Sequence, residues 1–171
     1  NKIMSPDFLK ELTEIKSIDL SNNRVSDISC LEKCARLDSI YLSANGVKDI
    51  SPLKELIYLE NVDLSHNPGI TDYSPLRSRD LRILNLSNNN LSDVSFIKSF
   101  SQVYRAGKPQ HLSGGMLSLA LLDLSNNQIS DVSFLEESLS VGTLNLSGNE
   151  ISKIGKISYG LGFLDLSGNK I

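Results

Sequence analysis

The chain has 171 residues, 40% of them hydrophobic, which is enough to bury the core of one ordinary domain. Its formal net charge is −3 and its pI is near 5.4, so no overall positive charge draws it toward nucleic acid or anionic membrane. No run of about 18 apolar residues occurs, so the sequence predicts no membrane-spanning helix. The only two cysteines, Cys30 and Cys34, are too few for a disulfide framework.

A nine-residue pattern, L-x-x-L-x-L-x-x-N, recurs seven times in one register. It occupies residues 15–23, 37–45, 59–67, 81–89, 119–127, 141–149 and 161–169. The closing asparagines are Asn23, Asn45, Asn67, Asn89, Asn127, Asn149 and Asn169, and their spacings are 22, 22, 22, 38, 22 and 20. A repeat of this length predicts a solenoid in which each turn buries its apolar residues against the next.

The middle of each repeat is predicted to be a short β-strand. Side chains alternate along a strand, so Ile18 and Leu20 point inward while Asp19 points outward. Stacked repeats place each strand about 4.8 Å from its predecessor and form a parallel sheet. The asparagine at each strand exit can satisfy backbone groups, so the seven asparagines are predicted to form a structural ladder.

The segment that follows each asparagine is predicted to return through one short helical turn, 3₁₀ or α. Ser29 with Glu32, and Ser133 with Glu136, have capping-box spacing. Ser51-Pro52 and Ser74-Pro75 predict Ser at the N-cap and Pro at the first helical position. An aspartate recurs before each turn and is predicted to accept local backbone N–H bonds rather than to bind a metal; the set is Asp27, Asp49, Asp72, Asp93 and Asp131.

The pattern and its tails resemble the leucine-rich repeat family across essentially the whole chain. The tails read NRVSDISCL, NGVKDISPL, NNLSDVSFI and NQISDVSFL, and the third, NPGITDYSPL, has one extra residue. They are similar to the 22-residue class found in the protein phosphatase-1 regulatory leucine-rich subunit and in bacterial internalins. The resemblance implies an α/β repeat solenoid, a right-handed superhelix with a parallel β-sheet on its concave face and short 3₁₀ or α turns on its convex face.

Residues 1–171 are predicted to form a single domain of about seven repeats plus a partial first one. Asn1-Lys2-Ile3 matches the phase of the repeat, and the chain ends at Ile171 in the same phase. Solenoids need polar terminal caps for solubility, and neither end has one. We therefore expect the interior of a longer solenoid.

The largest departure from the repeat is an insertion at about 98–116, within the 38-residue spacing. The only formally charged side chains between Asp93 and Asp123 are Lys98, Arg105 and Lys108, so the insertion is basic in an otherwise acidic chain. It is interpreted either as a functional loop, with Arg105 and Lys108 clasping a partner, or as a tolerated surface insertion.

The outward positions of the strands are the second candidate site. Ile83 and Leu121 are predicted to lie side by side, with Phe163 two strands away, within an acidic and polar surface. An exposed apolar pair with a polar rim is typical of a binding hot spot, although scattered apolar surface residues are also ordinary. The predicted partner-binding residues are Tyr41, Asp63, His66, Ile83, Asn85, Leu121, Asp123, Phe163 and Asp165.

Other chemistry is disfavoured. The two histidines, His66 and His111, form no motif with a nucleophile, and no catalytic residue, metal site or cofactor is expected. Nucleic-acid binding would use Arg77, Arg79, Arg82, Lys98, Arg105 and Lys108, and the acidic strand positions oppose it. The sequons at Asn85, Asn90 and Asn145 would place glycans on or near the inner face, which slightly favours a cytoplasmic or bacterial protein.

The function predicted from the sequence is non-catalytic protein–protein interaction on the concave face, as in a scaffold or regulatory subunit. Two alternatives remain open. One is a bacterial surface or secreted adhesin, like an internalin, and the other is a structural spacer within a larger assembly. A signal peptide and wall anchor would favour the adhesin, and silent inner-face substitutions would favour the spacer.

Overall fold

A computed structural model describes residues 2–76, 81–98, 119–136, 141–157 and 160–171. They form one open sheet of seven parallel strands, ordered as they occur in the chain. The strands are β1 (Ser17–Asp19), β2 (Ser39–Tyr41), β3 (Asn61–Asp63), β4 (Ile83–Asn85), β5 (Leu119–Asp123), β6 (Val141–Asn145) and β7 (Phe163–Asp165). The predicted repeat solenoid with its parallel sheet is confirmed.

Strand register follows the sequence repeat. Ile18 pairs with Ile40, Ile40 with Val62 and Val62 with Leu84, each 22 residues apart. Leu84 then pairs with Leu122, so the sheet continues in register across the 38-residue spacing. Because a one-residue slip would turn every buried side chain outward, the stacked core fixes this register.

Short 3₁₀ turns lie opposite the strands, as predicted. They span Asp7–Glu11, Ser29–Lys33, Ser51–Glu55, Ser74–Leu76 and Ser133–Glu136. The predicted serine capping is wrong at Ser29 and Ser51, because each serine is the first residue of its turn and the N-caps are Ile28 and Ile50, without side-chain capping bonds. Pro52 does lie in the first turn, as predicted.

The aspartate before each turn bonds the serine at the start of the turn. Asp27, Asp49, Asp72, Asp93 and Asp131 each accept the backbone N–H of the serine two residues later at 2.8 Å. This Asx turn satisfies the serine's own N–H at the start of the 3₁₀ segment. The N–H groups that a capping serine would bind, those of Leu31 and Leu53, donate to the carbonyls of Ile28 and Ile50 instead. The predicted local role of the aspartates is confirmed.

The asparagine ladder joins successive repeats on the side where the strands end. In Asn127, Nδ2 donates to Leu86 O at 3.0 Å in the preceding repeat and to Leu124 O at 2.9 Å in its own. Its Oδ1 accepts Asn89 N–H at 2.9 Å and Leu91 N–H at 3.0 Å. Asn127 is buried, and its amide spans two repeats that the sequence separates by 38 residues. The predicted structural role of the ladder is confirmed.

The third repeat departs from this bonding where its extra residue lies. Arg24 N–H donates to Ile3 O, and Gly46 N–H to Val25 O, but Pro68 occupies the equivalent position and has no N–H. The next ladder amide adapts, since Asn89 Oδ1 accepts Asn67 N–H instead, at 2.6 Å. The insertion of one residue therefore changes how the third and fourth repeats are joined.

Candidate functional site

The concave face is the face of the sheet on which the first and last side chains of a three-residue strand lie. The middle residues, Ile18, Ile40, Val62, Leu84, Leu122, Leu144 and Leu164, face the stacked core instead. In the described part of the chain no other segment packs against the concave face as a second layer, and its side chains are therefore presented outward. This face is therefore the candidate functional site.

The predicted apolar group lies where the sequence placed it. Ile83 of β4 pairs directly with Leu121 of β5, and Thr143 of β6 separates Leu121 from Phe163 of β7. Ile83 is 37% exposed and Phe163 58% exposed, while Leu121 is partly buried. Apolar side chains held at this exposure on a rigid sheet are the kind of surface that loses water when a partner binds.

A second row, of polar side chains, runs beside the apolar group. Register pairs Tyr41 with Asp63, Asp63 with Asn85, Asn85 with Asp123, and then continues through Asn145 to Asp165. Tyr41 is 36% exposed, and the other members of the row are partly buried. The structure thus brings five of the predicted residues into one line across the sheet.

Most of these polar side chains also stabilise the strand exit, a role that sequence reasoning missed. Asp63, Asn85 and Asp123 each accept, through Oδ1, the backbone N–H of the serine two residues later at 2.9–3.0 Å. The same bonds from Ser21 to Asp19 and from Ser167 to Asp165 lower the pKa of both carboxyl groups below the usual value. Substituting these residues would therefore perturb the scaffold as well as the surface.

His66 does not belong to either row. It lies in the turn after β3, is exposed, and has a left-handed backbone with φ of 55°. Its backbone N–H donates to Ser87 O at 3.0 Å. Since Asn22, Ala44, Asn88 and Asn126 adopt the same conformation at the equivalent position, the turn is a property of the repeat.

Arg105 and Lys108 lie outside the described residues, as do Arg77 and Arg79. The insertion at about 98–116 is described only at Lys98. Of the basic residues considered for nucleic-acid binding, Arg82 is exposed immediately before β4, between Glu60 and Ala120 of the neighbouring repeats.

Sequence reasoning also missed an exposed apolar pair away from the concave face. Ile57 is 69% exposed and Tyr58 is 61% exposed, in the segment between the Ser51–Glu55 turn and β3. The flanking Leu56 and Leu59 are both buried. The spacing of Ile57 and Tyr58 from those leucines indicates that the pair faces outward, and this spacing was the signal in the sequence that could have found it.

A cleft of about 310 Å³ lies where the third and fourth repeats join irregularly. Tyr73 and Phe96 line it, and their rings stack with centroids 5.3 Å apart and an interplanar angle of 16°. The Tyr73 hydroxyl is buried without a hydrogen-bond partner in the structure, and burial raises the pKa of this phenol. Two features of the sequence could have indicated this cleft, namely the extra residue of the third repeat and Tyr73, which occupies a position where other repeats have Ile or Val.

The described residues contain no group of three or more His, Cys, Asp or Glu side chains placed to hold a metal ion. Cys30 and Cys34 are free thiols in the core, and burial raises the pKa of both. No helix in the described part of the chain is long and apolar enough to span a membrane.

Comparison with known proteins agrees with this geometry. Models for leucine-rich repeats match residues 13–55, in a two-copy form, and residues 80–102 and 116–133 as single repeats. Comparison with curated protein sequences gives no significant match.

Two internalins of Listeria monocytogenes are among the similar solved structures. Internalin C2 has 26% sequence identity and a TM-score of 0.76, covering 98% of this chain and 68% of its own. Internalin inlF has 24% identity and a TM-score of 0.75, covering 99% of this chain, which spans 52% of that internalin. The ectodomain of the Arabidopsis thaliana receptor kinase GASSHO1/SCHENGEN3, in complex with Casparian strip integrity factor 2, has 23% identity and a TM-score of 0.68, covering 98% of this chain and 20% of its own.

Proposed function

This chain is a leucine-rich repeat protein, and from that premise we propose that it binds another protein on its concave face and catalyses no reaction. The fold commonly mediates protein–protein interaction and is typically non-catalytic. The observation that carries the proposal is the exposed apolar group of Ile83, Leu121 and Phe163, held in register on an open sheet face.

The polar row supports the same face. A hot spot is most effective when a polar rim keeps water away from its apolar centre, and the row from Tyr41 to Asp165 lies directly beside the apolar group. The rim is also rigid, because its aspartates and asparagines are fixed by bonds to backbone N–H groups. A rigid surface loses little conformational entropy on binding, which favours affinity.

The test is affinity capture from the source cell, comparing the native chain with the double variant Ile83→Asp plus Leu121→Asp. The matched control is Ile57→Asp plus Tyr58→Asp, which adds the same charge at an apolar pair away from the concave face. All three proteins must first show the same melting temperature. A protein captured by the native chain and the control, but lost from the concave variant, is the expected result.

Equal recovery from all three proteins would contradict the concave-face proposal and favour a spacer role. Loss from the control alone would move the interface to Ile57 and Tyr58. In either case the interaction would not depend on the apolar group of β4 and β5.

The likeness to two internalins favours one second candidate, a bacterial surface or secreted adhesin. It differs from an intracellular scaffold in where the chain is found. Protease treatment of intact source cells, followed by immunodetection of the chain, separates the two, because a surface protein is digested and an intracellular one is protected.

A further inference from the structure

The two ends of the concave face have different chemistry. The acidic end consists of Asp19 and Asp63, which lie on the face itself, and of Asp38 and Glu60, which lie at its edge where β2 and β3 begin. The apolar end consists of Ile83, Leu121 and Phe163, on β4, β5 and β7. Counting each strand and the residue before it, four carboxylates and Lys16 give β1–β3 a net charge of −3, whereas Asp123, Asp165 and Arg82 give β4–β7 a net charge of −1.

The acidic end is held in place by hydrogen bonds along the face. Asn61 Nδ2 donates to Ser39 Oγ at 3.0 Å, and the Ser39 hydroxyl donates to Asp38 Oδ1 at 2.7 Å. These bonds join β2 and β3 and hold the Asp38 carboxylate against the sheet. Asp63 is fixed by the Ser65 N–H at 2.9 Å. These bonds give both carboxylates, and the negative potential around them, a defined position.

The apolar end is flat as well as apolar. A Cβ atom at Gly142 would lie 2.8 Å from Ala120 O, and one at Gly162 would lie 2.8 Å from Gly142 O. Both positions therefore require glycine, and Gly162 N–H donates to Gly142 O at 2.9 Å. Leu121 and Phe163 consequently stand beside bare backbone, which leaves room for bulky apolar side chains of a partner.

From this arrangement, and resting on the proposed function, we propose that the partner contributes an extended segment with Lys or Arg at one end and bulky apolar residues at the other. Its basic end lies over β1–β3 and its apolar end over β5–β7. Charge complementarity fixes this orientation, since reversal would place cations over apolar side chains and leave the carboxylates unpaired.

The sheet also sets the length of the segment. From β2 to β6 there are four strand spacings of about 4.8 Å, or about 19 Å in total. An extended chain advances about 3.3 Å per residue, so the basic and apolar groups are separated by roughly six residues. A separation much shorter than this cannot engage both ends at once.

The test uses four synthetic fluorescent peptides and the whole chain, with binding followed by fluorescence anisotropy. One peptide has an Arg-Lys-Arg block, five Ser/Gly residues and a Leu-Phe-Leu block. The others replace the basic block by Glu, replace the apolar block by Ser, or omit the spacer. We expect the first peptide to bind at least tenfold more tightly than the other three, and its advantage over the Glu peptide to shrink at high salt.

Variants of the chain show which residues bind the basic end of the peptide. Asp38→Asn plus Glu60→Gln should weaken the first peptide roughly two- to tenfold, as expected for two exposed charge pairs. The matched control is Glu32→Gln plus Glu55→Gln, which removes the same charge from the exposed 3₁₀ turns and should leave binding unchanged. Equal weakening by both variants, or equal binding of the Glu peptide, would overturn the proposal.

Failure of this inference is distinguishable from failure of the proposed function. If no peptide binds but the captured protein is lost with Ile83→Asp plus Leu121→Asp, the concave face remains the interface and the bipolar segment is refuted. If the first peptide binds equally well to that double variant and to Asp38→Asn plus Glu60→Gln, the concave face itself is wrong.

Discussion

Removal of the Asn127 side chain amide should be among the most destabilising single changes in the scaffold. Its amide joins two repeats through Leu86 O and Leu124 O, and it satisfies the N–H groups of Asn89 and Leu91. In Asn127→Ala the buried N–H groups of Asn89 and Leu91 lose their acceptor, while Leu86 O and Leu124 O each keep one ladder amide, that of Asn89 and of Asn149, as a donor. An unsatisfied buried group costs about 1–3 kcal/mol, but a water molecule entering the vacated space can bond several of them. We expect a net loss of about 3–5 kcal/mol.

Asn23→Ala is the matched control, because Asn23 occupies the same ladder position at the first strand. Its Nδ2 donates to Leu20 O and Ser21 O within its own repeat, and Oδ1 accepts Ile3 N–H at 3.1 Å. It is only partly buried, so water can replace those bonds, and the expected loss is about 1 kcal/mol. The assay is guanidinium unfolding followed by far-UV circular dichroism, with the denaturant slope compared between variants.

Two results would refute this reasoning. The first is a loss for Asn127→Ala no greater than that for Asn23→Ala. The second concerns Asn127→Asp, which preserves shape and the acceptor oxygen but replaces the donor, so that a carboxylate oxygen faces Leu86 O and Leu124 O. At neutral pH it should destabilise at least as much as alanine; if it is tolerated, packing rather than the donated bonds explains the ladder.

Three further predictions follow from single positions. Ala44 has a left-handed backbone with φ of 53°, so Ala44→Gly should raise the free energy of unfolding by about 0.5–1 kcal/mol. The reason is that relief of about 1–2 kcal/mol of backbone strain exceeds the added entropy of the unfolded chain. Thermal melting checks this prediction, and a lower melting temperature would contradict it. Tyr73→Phe should be neutral or stabilise by up to about 1 kcal/mol in the same assay, because it removes a buried hydroxyl without a partner; a marked loss of stability would show that the hydroxyl is bonded. The hydrogen bond from the Ser29 N–H lowers the pKa of Asp27, so the ionised carboxylate stabilises the fold above its unfolded pKa of about 3.9. That stability is lost as the pH falls through the lower pKa of the folded state. Asp27→Asn keeps the acceptor and should lose less stability between pH 5 and pH 2 than the native chain, whereas identical acid unfolding curves would contradict the pKa shift.

The scaffold was predictable because each of its elements repeats with the period of the sequence. Leu37, Ile40 and Leu42 are fully buried, and Asn45 bonds the preceding repeat as well as its own, as the pattern alone indicated. The serine caps failed for a local reason, since each serine lies inside its 3₁₀ turn and the N–H that it would cap, that of Leu31 or Leu53, donates to the carbonyl of Ile28 or Ile50. A motif match could not show that the turn begins one residue earlier than predicted.

The candidate site was predictable in position but not in its energetics. The period placed Ile83 beside Leu121 and predicted that both face outward. It could not show that the Asp63 and Asp123 side chains also hold the strand exits, because that depends on distances of 2.9 Å to the following serines. The exposed Ile57 and Tyr58 were missed, although their spacing from the buried Leu56 and Leu59 places them outward.

The low sequence identity to the internalins indicates which positions would determine the partner specificity of the proposed interface. In the second repeat about nine of 22 positions are fixed by burial or by turn and ladder bonds; they are Leu37, Ile40, Leu42, Asn45, Val47, Asp49, Ile50, Leu53 and Leu56. Such positions alone are sufficient to account for identities of 24% and 26% over the whole chain. The likeness therefore shows the fold, and the proposed recognition would depend on the remaining positions, above all the outward residues of β1–β7. The charge and apolar pattern of this chain's own concave face is for that reason a better guide to its partner than any neighbour's partner.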